Sequence, residues 1–180
     1  MGLDLVELTM RIEETFSIQI PDSVASELTT PGKVTDYILT QVGESQAPLP
    51  CLSQQAFHLL RRGFIQSLAL SREQFRLSTA LRDIAPEERR DVWKEIGSAV
   101  GSQRWPAMSR PKLLRFIPPE VSSVRDLVEY LVTNEPLLVK GESAWTKAQV
   151  WEVLRRVIVD ETAVTDFSED SRFVDDMHLD

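Results

Sequence analysis

The sequence is poor in the residues that build covalent frameworks and metal centres. Its 180 residues include one cysteine, Cys51, and two histidines, so neither a disulfide framework nor a zinc cluster can form within the chain. The seven glycines are scattered and form no glycine-rich phosphate-binding loop. His58 and His178 have no cysteine, serine or acid at a spacing typical of a catalytic triad or a metal site. These absences predict that the protein is not an enzyme.

The chain also lacks long apolar runs and an excess of basic residues. Its apolar runs are too short to span a bilayer, and its N-terminus lacks the charged start and apolar stretch of a signal peptide. The sequence therefore predicts a cytoplasmic protein without a membrane segment. Lysine and arginine total 20 against 28 acidic residues, a formal net charge of −8. This balance argues against nucleic-acid binding and favours a basic partner.

The acidic residues are concentrated at the two ends of the chain. Residues 1–42 hold seven acids and two bases, and residues 146–180 hold nine acids and four bases, so each end has a net charge of −5. Residues 43–145 hold twelve acids and fourteen bases, a net charge of +2. This similarity is a first indication that the two ends belong to one folded unit.

The hydrophobic spacing is helical, and no stretch alternates convincingly with the period of two that a strand requires. Leu5, Leu8, Ile12 and Phe16 predict a helix that ends near Ser17. The last helix has apolar residues at every position of the i, i+3, i+4, i+7, i+8 template, namely Val150, Val153, Leu154, Val157 and Ile158. The other predictions are a short helix over 22–28, helices from Thr30, Ser53, Pro86, Ser123 (in a capping box with Asp126) and Thr146, linkers at 43–51 and 134–144, and a polar stretch at 71–84.

Two pairs of segments from different halves of the chain can be aligned. "AFHLLRRGFIQSL" from Ala56 and "VWEVLRRVIVDET" from Val150 share an aromatic residue, the residues Leu-Arg-Arg and a helix end, and a polar loop follows each of them. "GKVTDYILTQV" from Gly32 and "SSVRDLVEYLVTNE" from Ser122 are both capped helices before a linker. Chance similarity between amphipathic helices is the alternative. We expect two similar four-helix units, 53–135 and a circularly permuted unit of 1–42 plus 146–180, closed within one chain or between chains as a swapped dimer.

Joined in that order, the two ends resemble the acyl carrier protein family. The family has a loop F-x-D-D-L-G-x-D-S-L-D, an acidic helix V-E-L-x-M-x-x-E-E-x-F and a turn I-x-I-P-D. This chain has FVDDMHLD at 173–180 and LDLVELTMRIEETFSIQIPD at 3–22. The residues that match are Phe173, Asp175, Asp176, Asp180, Leu3, Asp4, Val6, Glu7, Leu8, Met10, Glu13, Glu14, Phe16, Ile18, Ile20, Pro21 and Asp22. The resemblance, much fainter in the middle unit, implies an all-α fold of two acyl-carrier-like bundles, the outer one built from both termini.

Members of this family carry 4′-phosphopantetheine on the serine of D-S-L, at the N-terminus of the acidic helix, where the helix dipole favours the phosphodiester. In this chain the residue before Leu3 is Gly2, and the position after Asp180 does not exist. The middle unit has Ala85 and Pro86 at the corresponding turn. We therefore expect the attachment site to be lost and 4′-phosphopantetheine to be absent. The alternative is an active carrier in fatty-acid or polyketide synthesis whose serine lies outside this sequence.

The resemblance also implies a partner-binding face. Carrier proteins are read by basic patches on enzymes through the acidic helix, whose partner-binding positions here are Asp4, Glu7, Met10, Glu13 and Glu14. We expect a non-catalytic interaction module whose partner is the basic surface of an enzyme or a carrier protein of fatty-acid or polyketide metabolism. For these acids the alternative is a solvated helix face. For the chain it is a structural protein that self-assembles through its split unit.

Three acids of the C-terminal loop are weak candidates for a metal site. Asp175, Asp176 and Asp180 could together hold a divalent ion only weakly. Three acids on one loop fall far short of a complete calcium-binding motif. The sequence therefore predicts no metal site.

Overall fold

A computed structural model describes residues 2–45, 47, 49–85, 90–106 and 121–179. This part of the chain contains helices and two isolated bridges but no strand, which confirms the all-α prediction. None of its helices combines the length and the apolar character needed to cross a bilayer. The helices are α1 (Leu3–Phe16), α2 (Asp22–Ala25), α3 (Pro31–Val42), α4 (Leu52–Leu68), α5 (Leu81–Ile84), α6 (Arg90–Val100), α7 (Val124–Asn134), α8 (Pro136–Lys140) and α9 (Lys147–Thr162).

The chain divides into two compact units. Unit 1 consists of residues 1–51 and 140–180, and unit 2 of residues 52–139. The domain boundaries expected from the sequence, 1–42 with 146–180 and 53–135, fall inside these ranges. In unit 1, α9 packs against α1 and α3, and in unit 2, α4 packs against α6 and α7.

The apolar stripes of α1 and α9 contribute to the core of unit 1. Leu8, Ile12 and Phe16 of α1 are each 2% exposed. The stripe predicted for α9 is confirmed, because all five of its side chains are fully buried: Val150, Val153, Leu154, Val157 and Ile158. Burial of such a side chain contributes about 1.5–3 kcal/mol relative to its exposure. These stripes therefore supply most of the stabilisation that holds α9 against α1.

Unit 2 confirms most of the helix signals read from its sequence. Val92, Ile96 and Val100 of α6 are buried, at the helical spacing expected of a helix in this segment, while Pro86, its predicted start, lies outside the described residues. The side chain of Ser123 accepts a hydrogen bond from the Asp126 N–H at 3.2 Å, and the Ser123 N–H donates to Asp126 Oδ2 at 3.0 Å. This reciprocal pair is the predicted capping box at the start of α7.

Two short helices were not predicted. α8 lies within the segment 134–144, so the prediction of a linker there is wrong. Pro136 suits the first helical position, and Pro136 and Val139 are both buried. α5 lies within the segment predicted as a polar stretch, and its Leu81 is 1% exposed. Burial of one or two side chains thus stabilises turns that are too short to show a hydrophobic period.

In unit 1 the loop after α9 is hydrogen bonded to the start of α3. α9 ends at Ala163, which adopts a left-handed conformation with φ 58°. The Phe173 N–H donates to the Thr29 carbonyl at 3.1 Å, and the Gly32 N–H donates to the Glu169 carbonyl at 2.8 Å. Main-chain bonds therefore attach the C-terminal loop to the N-terminal helices.

Unit 2 has the same arrangement around α4 and α7. α4 is followed by Ala69, again left-handed with φ 52°. The Leu81 N–H donates to the Ser122 carbonyl at 2.9 Å, and the Arg125 N–H donates to the Leu77 carbonyl at 3.1 Å. The loop after α4 is thus fixed to the start of α7 as the loop after α9 is fixed to α3.

A tyrosine at the same position of α3 and α7 makes the same kind of bond in each unit. The Tyr37 hydroxyl donates to the Gln19 carbonyl at 2.9 Å. The Tyr130 hydroxyl donates to the Arg104 carbonyl at 2.7 Å. Each tyrosine therefore ties its helix to the segment that follows the preceding long helix of the unit, α1 or α6.

Candidate functional site

The N-cap position of α1, directly before its first residue, carries no side-chain oxygen. Gly2 is the N-cap residue, in an extended conformation with φ −73° and ψ 176°, and makes no side-chain cap hydrogen bond. Its carbonyl accepts from the Val6 N–H at 3.3 Å. A phosphodiester needs a hydroxyl for attachment, so Gly2 does not fit the covalent anchor of 4′-phosphopantetheine. Met1 and Asp180, which would both precede Gly2 in the permuted order expected from the sequence, lie outside the described residues.

α1 presents a second apolar row to solvent in addition to its buried stripe. Leu3, Val6 and Met10 are 72%, 37% and 62% exposed, and their i, i+3, i+7 spacing places them along one side of the helix. Asp4 and Glu7 are exposed along one edge of this row. We call these five residues the α1 face. A partner with an apolar centre and a basic rim would complement it.

The sequence predictions for the partner-binding face omitted Leu3 and Val6. The sequence does contain a signal for these two residues, because Leu3, Val6 and Met10 form a second apolar row on α1, offset from the stripe that contains Leu8. Periodicity shows such a row, but it does not show which of two rows faces solvent.

The two glutamates near the C-terminal end of α1 have local partners. Glu13 is half-buried, and its Oε1 accepts from the Ile20 N–H at 2.6 Å. Glu14 Oε2 lies 3.3 Å from Arg11 Nη1, in an exposed ion pair. Both glutamates border an open depression of about 600 Å³ that residues 18–21 complete. Glu13, expected to bind a partner, thus also closes the turn after α1.

The C-terminal loop contributes core side chains to unit 1. Phe173, Met177 and Leu179 are between 4% and 5% exposed. A Cβ atom at Gly32 would lie 2.8 Å from the Glu169 carbonyl oxygen, closer than unbonded atoms normally approach. The hydrogen bond between this loop and the start of α3 therefore requires the absence of a side chain at position 32.

The aspartates of the C-terminal loop bind one arginine. Asp175 Oδ2 lies 2.9 Å from Arg172 Nη1, and Asp176 Oδ2 accepts from the Arg172 N–H at 2.7 Å. Within the described ranges no group of three histidine, cysteine or acidic side chains could hold a metal ion. Asp180, the third residue of the candidate site, lies outside those ranges.

The segments that follow α3 and precede α9 lie side by side. Glu44 and Trp145 form an isolated parallel bridge, and the Ser45 N–H donates to the Trp145 carbonyl at 2.6 Å. The Trp145 side chain is 2% exposed, and its ring centroid lies 5.4 Å from that of Phe16. The chain therefore leaves unit 1 and returns to it at adjacent points, and Trp145 packs on α1.

Lys147 connects three elements of unit 1. Its Nζ lies 2.9 Å from Asp36 Oδ1 on α3 and 3.8 Å from Glu169 Oε2 in the C-terminal loop. The hydrogen bond to Asp36 raises the pKa of Lys147 more than its slight burial lowers it. All three side chains are exposed to solvent, so this network orients the elements more than it stabilises them.

Residues 3–38 match the family described as "Phosphopantetheine attachment site". The mitochondrial acyl carrier protein of Saccharomyces cerevisiae is 58% identical over 37 residues, covering 21% of this chain and 30% of that protein. "Acyl carrier protein 3, mitochondrial" of Arabidopsis thaliana is 56% identical over 40 residues, with coverages of 22% and 30%. The acyl carrier protein of Wolinella succinogenes is 53% identical over 39 residues, with coverages of 22% and 51%. No solved structure matches the chain.

These similarities confirm an acyl-carrier-like segment at residues 3–38, which contains the α1 face. The matched region begins one residue after Gly2. The chain spans between 30% and 51% of the length of these relatives. Domains of this family are carriers and not catalysts. Two of the relatives are named as mitochondrial, and the cytoplasmic location of this chain stays a prediction.

Proposed function

We propose that the chain is a non-catalytic, acyl-carrier-like interaction module. Its α1 face binds the basic surface of an enzyme or a carrier protein of fatty-acid or polyketide metabolism. The observation that carries the proposal is the 72% exposure of Leu3 and the 62% exposure of Met10 in the acyl-carrier-like segment. Covering apolar surface is favourable by about 25 cal/mol per Å². The flanking carboxylates Asp4 and Glu7 set the encounter rate and the orientation.

The proposal includes the loss of the 4′-phosphopantetheine arm. Its support is Gly2, which carries no hydroxyl at the N-cap of α1. Ser17 and Ser23 also lie in the N-terminal segment, but neither stands at the N-terminus of α1. An active carrier whose serine is supplied outside this sequence is the second candidate, and the description of the matched family as an attachment site favours it.

The proposal also assigns unit 1 to one bundle in permuted order, with α9 and its loop placed before α1. Three observations support this order. α9 packs on both α1 and α3. Phe173 is hydrogen bonded to Thr29. Ser45 and Trp145 meet where an unpermuted carrier would have its free ends. The same contacts would form within one chain in a monomer and between two chains in a swapped dimer.

Unit 2 is proposed to be a second, degenerate copy of the same bundle. The loop after α4 is bonded to α7 as the loop after α9 is bonded to α3. α3 and α7 also bury the same five positions of the helix, which are Pro31, Val34, Thr35, Ile38 and Leu39 in α3 and Val124, Leu127, Val128, Leu131 and Val132 in α7. This spacing alone is that of any amphipathic helix. The proposed repeat is therefore supported mainly by the matching loop bonds and by Tyr37 and Tyr130, which bond in the same way.

A competition assay tests the proposed function. The chain is incubated with a phosphopantetheinyl transferase and coenzyme A, alone and together with an authentic acyl carrier protein. We expect the mass of the chain to stay unchanged, and we expect it to slow modification of the authentic carrier by occupying the transferase. The double variant Asp4→Lys with Glu7→Lys should lose this inhibition, because lysines would face a basic surface.

The matched control carries the same change of charge elsewhere on unit 1. Asp160 and Glu161 are exposed near the end of α9, and the variant Asp160→Lys with Glu161→Lys should inhibit as the wild type does. A gain of mass on any serine of this chain would overturn the proposed loss of the attachment site. Absent inhibition, or equal inhibition by the two double variants, would reject the α1 face as the docking site.

A further inference from the structure

Helix α4 of unit 2 has a basic surface without acids. Residues 45–72 contain no aspartate or glutamate. His58 and Arg62 are exposed one turn apart on α4, and Arg61 lies beside them. Within the described part of the chain neither arginine has a carboxylate oxygen within 4.0 Å. Within those described ranges no carboxylate neutralises the positive charge of either guanidinium group.

An aromatic ring lies at the centre of this basic surface. The Arg61 guanidinium carbon is 5.4 Å from the centroid of the half-buried Phe57 ring. Arg61 Nη2 is 2.9 Å from His58 Nδ1, and the buried Phe75 supports Phe57 at a centroid distance of 5.5 Å. These contacts hold Arg61 against the helix, so less side-chain entropy is lost when a partner binds. We call Phe57, His58, Arg61 and Arg62 the α4 face.

The two units differ in the sign of their charge. Unit 1 contains 18 acids and seven bases, a net charge of −11, and unit 2 contains ten acids and thirteen bases, a net charge of +3. The α1 face has an apolar row edged by carboxylates, whereas the α4 face has an aromatic ring edged by arginines. The chain thus carries two faces that are complementary in charge and that each have an apolar centre.

We infer that the α4 face of one copy binds the α1 face of a second copy of this chain. The occupant is a second copy because the acidic and apolar chemistry that suits the α4 face is present on the same chain. The inference rests on the proposed function, since it uses the same α1 face. Two different faces meet in this contact, so a pair of copies leaves one free α1 face and one free α4 face. Association is therefore head-to-tail, and it continues until a ring closes or as an open chain.

The contact is weak and depends on salt. The α1 face offers three exposed apolar side chains, and its charges lie at the surface, where salt screens them. The Debye length falls from about 30 Å at 0.01 M salt to about 10 Å at 0.1 M. An exchange of core segments between copies would instead bury apolar surface and would respond little to salt. Salt dependence therefore separates face-to-face association from a swapped dimer.

Sedimentation velocity with charge-reversed variants tests this inference. For the wild type at about 20 mM salt we expect the mean sedimentation coefficient to rise with protein concentration, and the association constant to fall roughly tenfold at about 300 mM salt. The variants Asp4→Lys with Glu7→Lys and Arg61→Glu with Arg62→Glu should each stay monomeric alone. Their equimolar mixture should associate again, because the unchanged α4 face of the first variant meets the unchanged α1 face of the second, and the two reversed faces are also opposite in charge.

A control variant carries the same change of charge at another place on unit 2. Arg72→Glu with Arg125→Glu changes the charge of unit 2 by the same amount at exposed positions outside α4, and it should associate as the wild type does. Circular dichroism checks that each variant is folded. A wild type that is monomeric at low salt, an association that salt does not weaken, or a mixture that stays monomeric would overturn the inference.

The competition assay separates a failure of this inference from a failure of the proposed function. It uses dilute chain and a transferase in place of the second copy. Inhibition that depends on the α1 face, without self-association, would reject only the self-association. Self-association that depends on both faces, without inhibition, would reject only binding to the enzyme.

Discussion

The substitution Phe173→Ala tests how strongly the C-terminal loop stabilises the N-terminal helices of unit 1. Phe173 is 4% exposed, and its N–H bonds to the carbonyl of Thr29, directly before α3. Removal of a buried phenylalanine side chain lowers the free energy of unfolding by about 3–5 kcal/mol where the surroundings cannot collapse. A loop can partly follow, so we expect a loss of about 2–4 kcal/mol for Phe173→Ala. This is a large fraction of the stability of a small domain.

Hydrogen exchange measured by mass spectrometry localises the effect. A loss of about 2–4 kcal/mol corresponds to exchange that is roughly 30- to 1,000-fold faster in α1 and α3, wherever exchange requires unit 1 to open. α7 belongs to unit 2, so its exchange should not change. Val174 provides the matched control, because it is adjacent in sequence and 57% exposed. Val174→Ala leaves no cavity and should change the free energy of unfolding by less than about 0.5 kcal/mol.

Two outcomes would contradict the arrangement of unit 1. Unchanged exchange in α1 and α3 after Phe173→Ala would mean that the C-terminal loop does not stabilise these helices. Protection of α1 and α3 that falls on dilution of the wild type at about 300 mM salt, where the association of α1 and α4 faces is weakened, would mean that the loop of one copy completes unit 1 of another.

Two further predictions concern the starts of α7 and α3. Burial tends to raise the pKa of Asp126, but hydrogen bonds from Ser122 and Ser123 outweigh this effect and lower that pKa. The Asp126 carboxylate therefore stabilises the fold at pH values above its pKa in the unfolded chain, and this stabilisation is lost as the pH falls through its lower pKa in the folded state. In urea titrations Asp126→Asn should therefore cost about 1 kcal/mol at neutral pH and far less in acid, while Glu129→Gln at an exposed position of the same helix should change the free energy of unfolding by less than about 0.5 kcal/mol. Gly32→Ala should lower the free energy of unfolding of unit 1 by about 2 kcal/mol, because its Cβ would lie 2.8 Å from the Glu169 carbonyl oxygen; a loss under about 0.5 kcal/mol would mean that the loop moves away freely.

Local chemistry explains most of the correct sequence predictions. The side chains of Thr30, Ser123 and Thr146 each accept a hydrogen bond from an N–H three residues later, so the helix start can be read from a few adjacent letters. The buried stripe of α9 was equally readable, because five apolar residues in two turns leave only one side of the helix to face a core. Neither inference needs any knowledge of the rest of the chain.

Features set by distant contacts could not be read from the sequence. No residue next to Glu13 marks it as different in role from the other acids of α1. Its role follows from the hydrogen bond that its side chain accepts from the Ile20 N–H, after the chain reverses. Ser45 lies in a predicted linker and Trp145 directly follows one. Only the fold brings the Ser45 nitrogen to 2.6 Å from the Trp145 carbonyl oxygen. For the candidate site, the sequence showed the acids of α1 but not the exposure of Leu3, because exposure depends on which side of α1 packs on α9.

At Gly2 the stability of the fold and the attachment of the arm are independent. Serine and glycine at an N-cap differ by only a few tenths of a kcal/mol, and the hydrogen bond that residue 2 makes to Val6 uses its carbonyl, which any residue supplies. The fold therefore does not select between a residue that can bear the arm and one that cannot. The α1 face begins at the next residue, and its exposed Leu3 and Met10 stabilise no core. In the proposed function, attachment depends on one side chain and docking on others, so a chain without the hydroxyl would keep the proposed docking face.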